Sequence, residues 1–114
     1  MELNISELGN GITLIKLHGR LDIIGVNQIE TKFAGYCSGE NARVVVDMSG
    51  VAYLASIGIR LLVVNAKSLR SRNGKMALLN PISGVMNVLE ITDIPSVIPV
   101  YSQLESAEAV MLGA

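Results

Sequence analysis

The sequence predicts a layered α/β domain built on a mixed, mostly parallel β-sheet of about five strands with about four helices. Segments of alternating or continuously β-branched apolar residues take turns with segments in which apolar residues recur at helical spacing. Their order, β-β-α-β-α-β-α-β-α, implies parallel crossovers, because strands that alternate with helices pack into one sheet beneath them. The chain has 114 residues, of which 50% are hydrophobic, so we expect a single domain over residues 1–114.

The first elements are a hairpin and a helix. The stretches "LNISEL" and "ITLIKLHG" alternate apolar and polar residues and flank "GNG", whose Asn-Gly pair favours a tight turn. The next stretch, "GRLDIIG", is interpreted as a loop because Gly19 and Gly25 punctuate it. A helix is then predicted over Val26–Cys37, with Gly39 as the residue that ends it.

The middle of the chain predicts a central strand followed by a second helix. The run "RVVVDM" is short and β-branched on both faces, which is typical of a buried strand in a covered sheet. We expect Ser49-Gly50 to make a turn after it, and the chain to return across apolar surface. The helix is predicted over Ile57–Arg72, ended by "RNGK", with a core stripe of Leu62, Val63, Ala66 and Leu69.

The last elements are two strands and two helices. "KMALLN" predicts a strand, and Asn80-Pro81 is expected to cap a third helix, since proline suits the first helical turn. "SVIPVY" predicts an edge strand, because Pro99 cannot donate to a ladder. The S-x-x-E spacing of Ser102 and Glu105 predicts a capping box that opens a terminal helix.

Composition excludes several function classes. A net charge of -1 argues against direct nucleic-acid binding, which needs a basic surface. One cysteine and one histidine make a zinc site implausible, and no phosphate-binding glycine motif is present, so we expect no metal and no cofactor. Asp22 and Asp47 could approach each other, but no nucleophile with an adjacent base accompanies them, so we expect no enzyme. No apolar run reaches membrane-spanning length, and the expected location is the cytoplasm, without membrane insertion.

Ser56 is the candidate functional residue. It lies in "SGVAYLASIG", beyond the carboxyl end of the central strand, where α/β folds tend to place their sites. One interpretation is an N-cap, whose hydroxyl would accept an N–H from the first turn and stabilise the helix by about 1 kcal/mol. The other is a phosphoacceptor, because the helix N-terminus would favour the added negative charge. The two interpretations are compatible.

An outward strip follows on the same helix. Arg60 lies four residues after Ser56, and Val64, Lys67 and Ser71 continue the row that the core stripe leaves outside. The strip is either a solvated face or a contact surface with an exposed valine among charges. Arg60 could also pair with a phosphate on Ser56.

Two motifs resemble those of a known family. "VVVDMSGVAYLASIGIRLL" resembles a strand ending in D-L-S, an apolar turn, and then D-S-x-G at the start of a helix. Asp47, Ser49, Ser56 and Gly58 match, whereas Ala55 stands where aspartate is usual. Upstream, "LHGRLD" resembles the motif L-x-G-x-L-D. With this element order, the chain resembles the STAS domain, the fold of bacterial anti-sigma factor antagonists.

The resemblance implies a partner switch. The unphosphorylated domain would bind an anti-sigma factor that is also a serine kinase of the histidine-kinase-like ATPase type. Phosphorylation of Ser56 would release the domain, and a serine phosphatase would reverse it. The partner-binding residues it implies, with the outward strip, are Asp22, Ser56, Ile57, Gly58, Arg60 and Val64.

A second function remains open. The chain could be a STAS binding module that is not phosphorylated, for example a soluble subunit of a transporter or of a signalling complex. Ala55 and the high aliphatic content favour this alternative.

Overall fold

The computed structural model describes residues 1–113 and has the predicted element order, with one additional short 3₁₀ helix. Five strands and four α-helices alternate as the sequence analysis expects. Their bounds are β1 (Glu2–Glu7), β2 (Ile12–Leu21), α1 (Ile23–Tyr36), β3 (Arg43–Leu54), α2 (Ser56–Ser71), β4 (Lys75–Leu79), α3 (Ser83–Ile91), the 3₁₀ helix (Ile94–Ser96), β5 (Val100–Tyr101) and α4 (Leu104–Gly113).

The strands form one mixed sheet in the order β1-β2-β3-β4-β5. β1 pairs with β2 in antiparallel fashion, and all the other neighbours are parallel. This topology confirms the predicted α/β class. β5 lies at the edge and contains only two residues, because Pro99 supplies no N–H and the preceding residues turn through the 3₁₀ helix.

The core has two parts because helices cover both faces of the sheet. α1, α2 and α3 pack on one face in a large aliphatic cluster around Phe33. α4 packs on the other face through Ala107 and Met111, in a smaller cluster. Val44 and Val46 belong to the first cluster and Val45 to the second, and the run is fully buried, as expected of a central strand.

β2 and β3 are longer than the sequence predicts. The interpretation of "GRLDIIG" as a loop and of Ser49-Gly50 as a turn is wrong, because the two strands stay paired up to Leu21 and Leu54. The ladder shifts register between Lys16 and His18 and again after Gly19. Gly19 has a φ of +125°, and a Cβ on Gly50 would lie 2.7 Å from the carbonyl oxygen of Leu17. These glycines therefore mark bulges within a continuing strand rather than its end.

Several predicted helix ends also move. α1 begins at Ile23, three residues before the prediction, because Asp22 is its N-cap. α3 begins at Ser83 with Ile82 as N-cap, so Asn80-Pro81 precedes the helix instead of opening it. Within residues 1–113, the non-glycine residues with a positive φ angle are Asn41, Asn73, Asn80 and Asp93. Gly39 and Gly74, which the sequence placed at helix ends, do not have a positive φ angle. Short polar side chains tolerate the left-handed region, which explains why asparagine serves where glycine was expected.

The other predicted positions hold in outline. On α2, Leu62, Ala66 and Leu69 are buried as predicted, with Gly58, Leu61 and Asn65 added and Val63 half-buried. α4 is present and begins at Leu104, and the Ala107 N–H donates to the Gln103 carbonyl oxygen, so the helix starts one residue later than a capping box with Ser102 as N-cap requires, and that part of the prediction is wrong. No α-helix within residues 1–113 combines the length and the apolar composition that crossing a membrane requires.

Candidate functional site

The ends of β2 and β3 place two helix N-termini side by side. Leu21 pairs with Leu54, the last residue of the neighbouring strand. Beyond them, the Ala55 N–H donates to the Leu21 carbonyl oxygen at 3.0 Å, so the two chains stay joined where the helices begin. Asp22 is the N-cap of α1, and Ala55 is the N-cap of α2. The two residues that the motifs singled out, Asp22 and Ser56, therefore lie at neighbouring helix starts.

A short quasi-repeat underlies this geometry. "LDIIG" (21–25) and "LASIG" (54–58) each run from the last strand residue through the N-cap to a glycine in the third helical position. Both glycines are buried against β2. A Cβ on Gly58 would lie 2.8 Å from the Leu21 carbonyl oxygen, and one on Gly25 would collide with the Arg20 carbonyl oxygen. The packing role of Gly25 was not predicted, although the L-x-x-I-G pattern that the two segments share indicates it.

Asp22 caps α1 through its carboxylate. Its Oδ1 accepts the Gly25 N–H at 2.9 Å, and its Oδ2 accepts from Arg20 Nε at 3.3 Å. The Gly25 amide, followed by the Arg20 guanidinium, lowers the pKa of Asp22 and outweighs the opposing effect of desolvation. The carboxylate is thus held charged and oriented at the base of α1.

Arg20 links the two strands on the solvent side. Its guanidinium carbon lies 4.2 Å from the centre of the Tyr53 ring, in cation–π geometry, while its Nε contacts Asp22. Tyr53 stays 44% exposed, so this contact fixes the ring without hiding it. Neither Arg20 nor Tyr53 was predicted as a site residue, because their pairing depends on the register shift that follows Gly19.

Ser56 is not the N-cap. α2 begins at Ser56 itself, and the cap position belongs to Ala55, which has no side chain to make a capping bond. The Ala55 carbonyl oxygen accepts from the N–H groups of Gly58 and Ile59 at 3.0 and 3.1 Å. The predicted cap is wrong because β3 continues to Leu54 and brings the helix start one residue forward. The Ser56 side chain is exposed, and within residues 1–113 no hydrogen bond engages its hydroxyl.

The surface beside Ser56 is largely apolar. Ile23 and Ile24, on the first turn of α1, are 62% and 67% exposed, and neither was anticipated from the sequence. Ile57 is half-buried, whereas Arg60 and Val64 are exposed on α2, as the outward strip predicts. Gly58 is buried and acts through close packing rather than by contact with solvent.

Asp47 does not join this site. It pairs with Lys16, which precedes Asp22 by six residues along β2, so at ~3.3 Å per residue the backbones of Asp47 and Asp22 are roughly 20 Å apart. Its Oδ1 instead accepts the Ser49 N–H at 2.9 Å, inside the bulged region of β3. The expectation that Asp22 and Asp47 could approach each other is therefore wrong.

The lone cysteine is also remote from solvent. Cys37 is buried at the end of α1, and desolvation raises the pKa of its thiol to about 12. The thiolate is the nucleophilic form, so this side chain is inert at neutral pH. Among residues 1–113 no three His, Cys, Asp or Glu side chains cluster closely enough to hold a metal ion.

The sequence and the fold of the chain are similar to those of known proteins. A model of the STAS domain matches residues 6–107. BtrV of Bordetella bronchiseptica, named as an anti-sigma factor antagonist, is 29% identical over 109 residues, covering 96% of this chain and 93% of that one.

Solved structures share the same fold. An anti-sigma-factor antagonist (STAS) domain protein from Planctomyces limnophilus superposes with a TM-score of 0.85 at 27% identity, covering 96% of this chain and 97% of its own. The anti-sigma factor antagonist SpoIIAA in its unphosphorylated form gives a TM-score of 0.78 at 19% identity, covering 99% and 98%.

The close packing of Gly58 yields a stability prediction. Gly58→Ala is expected to lower the free energy of unfolding by about 1–3 kcal/mol, because the new methyl group meets backbone and Leu54 within 2.9 Å. Gly35→Ala is the control, since that helical glycine has no atom within 4 Å of the added carbon and alanine favours the helix by up to about 1 kcal/mol. Chemical denaturation measures both, and equal effects would contradict the packing role.

The lowered pKa of Asp22 yields a pH prediction. The charged carboxylate stabilises the folded chain above its unfolded pKa of 3.8, and that stabilisation is lost as the pH falls through the lower folded value. Asp22→Asn retains a good capping side chain but cannot titrate. The difference in unfolding free energy between wild type and Asp22→Asn should be constant near neutral pH and shrink toward about pH 2. A difference independent of pH would show that the Gly25 contact is not charge-dependent.

Proposed function

The chain belongs to the STAS domain family, and on that premise we propose that it is an anti-sigma factor antagonist whose binding is switched off by phosphorylation of Ser56. The similarity to BtrV and to the Planctomyces limnophilus protein, each over more than nine-tenths of both chains, supports the antagonist role. The observation that carries the switch is the exposed, unengaged Ser56 hydroxyl at the first position of α2.

The binding surface in this proposal surrounds that hydroxyl. Ile57, Arg60 and Val64 supply the α2 side, and Asp22 with the exposed isoleucines of α1 supplies the other. The apolar side chains provide the contact area, and the flanking charges provide orientation and specificity. The chain acts by binding and not by catalysis.

The partner in this proposal is an anti-sigma factor that is also a serine kinase of the histidine-kinase-like ATPase type. The γ-phosphoryl group of ATP passes to Ser56 Oγ, ADP leaves, and the hydroxyl proton goes to a base of the kinase. Ala55 offers no carboxylate next to the hydroxyl, and Asp22 is engaged with Gly25 and Arg20, so the kinase must supply that base. This reaction uses ATP, which is consistent with action in the cytoplasm.

Phosphate at Ser56 stabilises the free state relative to the bound one. In the free chain, the N–H groups of Ser56 and Ile57 at the start of α2 precede the first hydrogen-bonded amide, that of Gly58, and the helix dipole favours a negative charge there. Arg60, one turn along the helix, adds a cation on the same side. In the complex the same charge of about -2 would have to be desolvated against the partner. A serine phosphatase would restore binding by removing it.

A second candidate is a constitutive binding module. Ala55 favours it, since the residue before the acceptor serine is usually aspartate in the family that the sequence resembles. In this case Ser56 stays unmodified, and the same surface binds a subunit of a transporter or signalling complex.

Ser56 variants test the switch. Ser56→Ala should change the unfolding free energy by no more than about 0.5 kcal/mol, because the hydroxyl makes no capping bond. It should bind the partner as the wild type does and resist release by ATP. Ser56→Asp should weaken binding, because it adds a charge at the contact.

The measurement uses a kinase recovered with the chain from native extract, identified by mass spectrometry and then purified. Binding is followed by calorimetry with and without ATP. Ser83→Asp is the matched control, since Ser83 is also the exposed first residue of a helix, α3. If wild type and Ser56→Ala are released equally by ATP, the acceptor is not Ser56. Retention without any phosphorylation would favour the constitutive module.

A further inference from the structure

An open groove of about 540 Å³ lies between α1 and α2. Its apolar surface comes from Val26 and Ala34 on α1 and from Ile57, Leu61 and Val64 on α2. Val64 is 53% exposed, so it offers apolar surface outside the buried stripe of α2. The groove begins at Ile57, the residue after Ser56, and runs along both helices to Ala34 and Asn65.

Two opposite charges border the groove without neutralising each other. Glu30 lies on the α1 side and Arg60 on the α2 side, and both side chains are exposed. The salt bridge found within residues 1–113 joins Arg20 and Asp22. Glu30 and Arg60 therefore form no salt bridge with each other. Each is therefore available to a charge of opposite sign lying between the helices.

Asn65 adds a hydrogen-bond acceptor to the groove. Asn65 is 6% exposed, and within residues 1–113 it is the polar residue found buried. Its Nδ2 donates to the Leu61 carbonyl oxygen at 2.8 Å, which leaves Oδ1 as the free end of the amide. No hydrogen bond within residues 1–113 involves Asn65 Oδ1. Every fully buried side-chain oxygen in this part of the chain has a hydrogen-bond partner, so an oxygen without a partner is not fully buried. Oδ1 is therefore solvent-accessible, and Asn65 lines the groove.

We propose that this groove binds an amphipathic α-helix of a partner protein. The apolar stripe of that helix packs between Ala34 and Val64, a basic flank faces Glu30, and an acidic flank faces Arg60. A side-chain donor next to the stripe bonds to Asn65 Oδ1. A helix fits better than an extended segment, because helices bound the groove on both sides and no strand edge there offers backbone partners.

This inference rests on the proposed function to the extent that Ile57, Arg60 and Val64 serve both. It adds Glu30 and Ala34 on α1, Asn65 on α2, and the chemistry of the partner segment. Its test uses neither kinase nor phosphate, so it can fail while the phospho-switch stands, and the switch can fail while the groove binds.

The first experiment is an NMR titration of the isotope-labelled full chain with a stapled helical peptide of about 15 residues. The peptide carries leucines at every third or fourth position, lysines on one flank and glutamates on the other. The expected shifts map to the methyl groups of Ala34, Ile57 and Val64 and to the side-chain amide of Asn65. No shifts, or shifts concentrated elsewhere, would overturn the proposal.

The second experiment reverses one charge. Glu30→Lys makes both borders of the groove basic and should weaken binding of this peptide at least about fivefold, while a peptide with glutamates on both flanks should then bind better to the variant than to the wild type. Glu90→Lys makes the same change at an exposed site on α3 and should alter nothing. Equal affinities of wild type and Glu30→Lys for both peptides would contradict the assigned role of the groove charges.

Discussion

The structure depends on the pairing of β2 and β3 persisting to the last residue of each strand. The Ala55 N–H to Leu21 carbonyl bond closes that pairing and fixes where both helices begin. Close approach then requires glycine in the third position of each helix, because a side chain at Gly25 or Gly58 would overlap the backbone of β2. The placement of Asp22 and Ser56 at one end of the sheet follows from these constraints.

Function in this account follows from rigidity at the helix starts. The Asp22 carboxylate, the Arg20 guanidinium and the Tyr53 ring hold one another, so the α1 side of the surface is preorganised. Ser56, by contrast, makes no structural bond, and modifying it costs the fold little. Because the Ser56 hydroxyl makes no bond that the fold needs, and exposed isoleucines lie near it, a phosphate on Ser56 would alter binding without altering the fold. The α1–α2 groove extends the same surface with acceptors and charges of both signs.

Much of the fold could be predicted because it rests on local patterns. The buried valine run of β3 and the helical spacing of Val26, Ile29 and Phe33 report the core directly. Strand ends could not be predicted, because bulges at Gly19 and Gly50 carry polar and glycine residues that resemble turns. The cap of α2 was missed because Ala55 has no capping side chain, so the geometry of the backbone decides it. Glu30 and Arg60 border one groove only because α1 packs beside α2, which no local sequence pattern reports.

The central claim is that Ser56 is a reversible phosphoacceptor, and intact-mass spectrometry of the chain from its native cells tests it most directly. The account predicts a population heavier by one phosphate, located at Ser56 by peptide fragmentation, and absent after phosphatase treatment. A chain that stays unmodified at Ser56 across growth conditions, or carries its phosphate at another residue, would contradict the account. In that case the same surface would belong to a constitutive binding module.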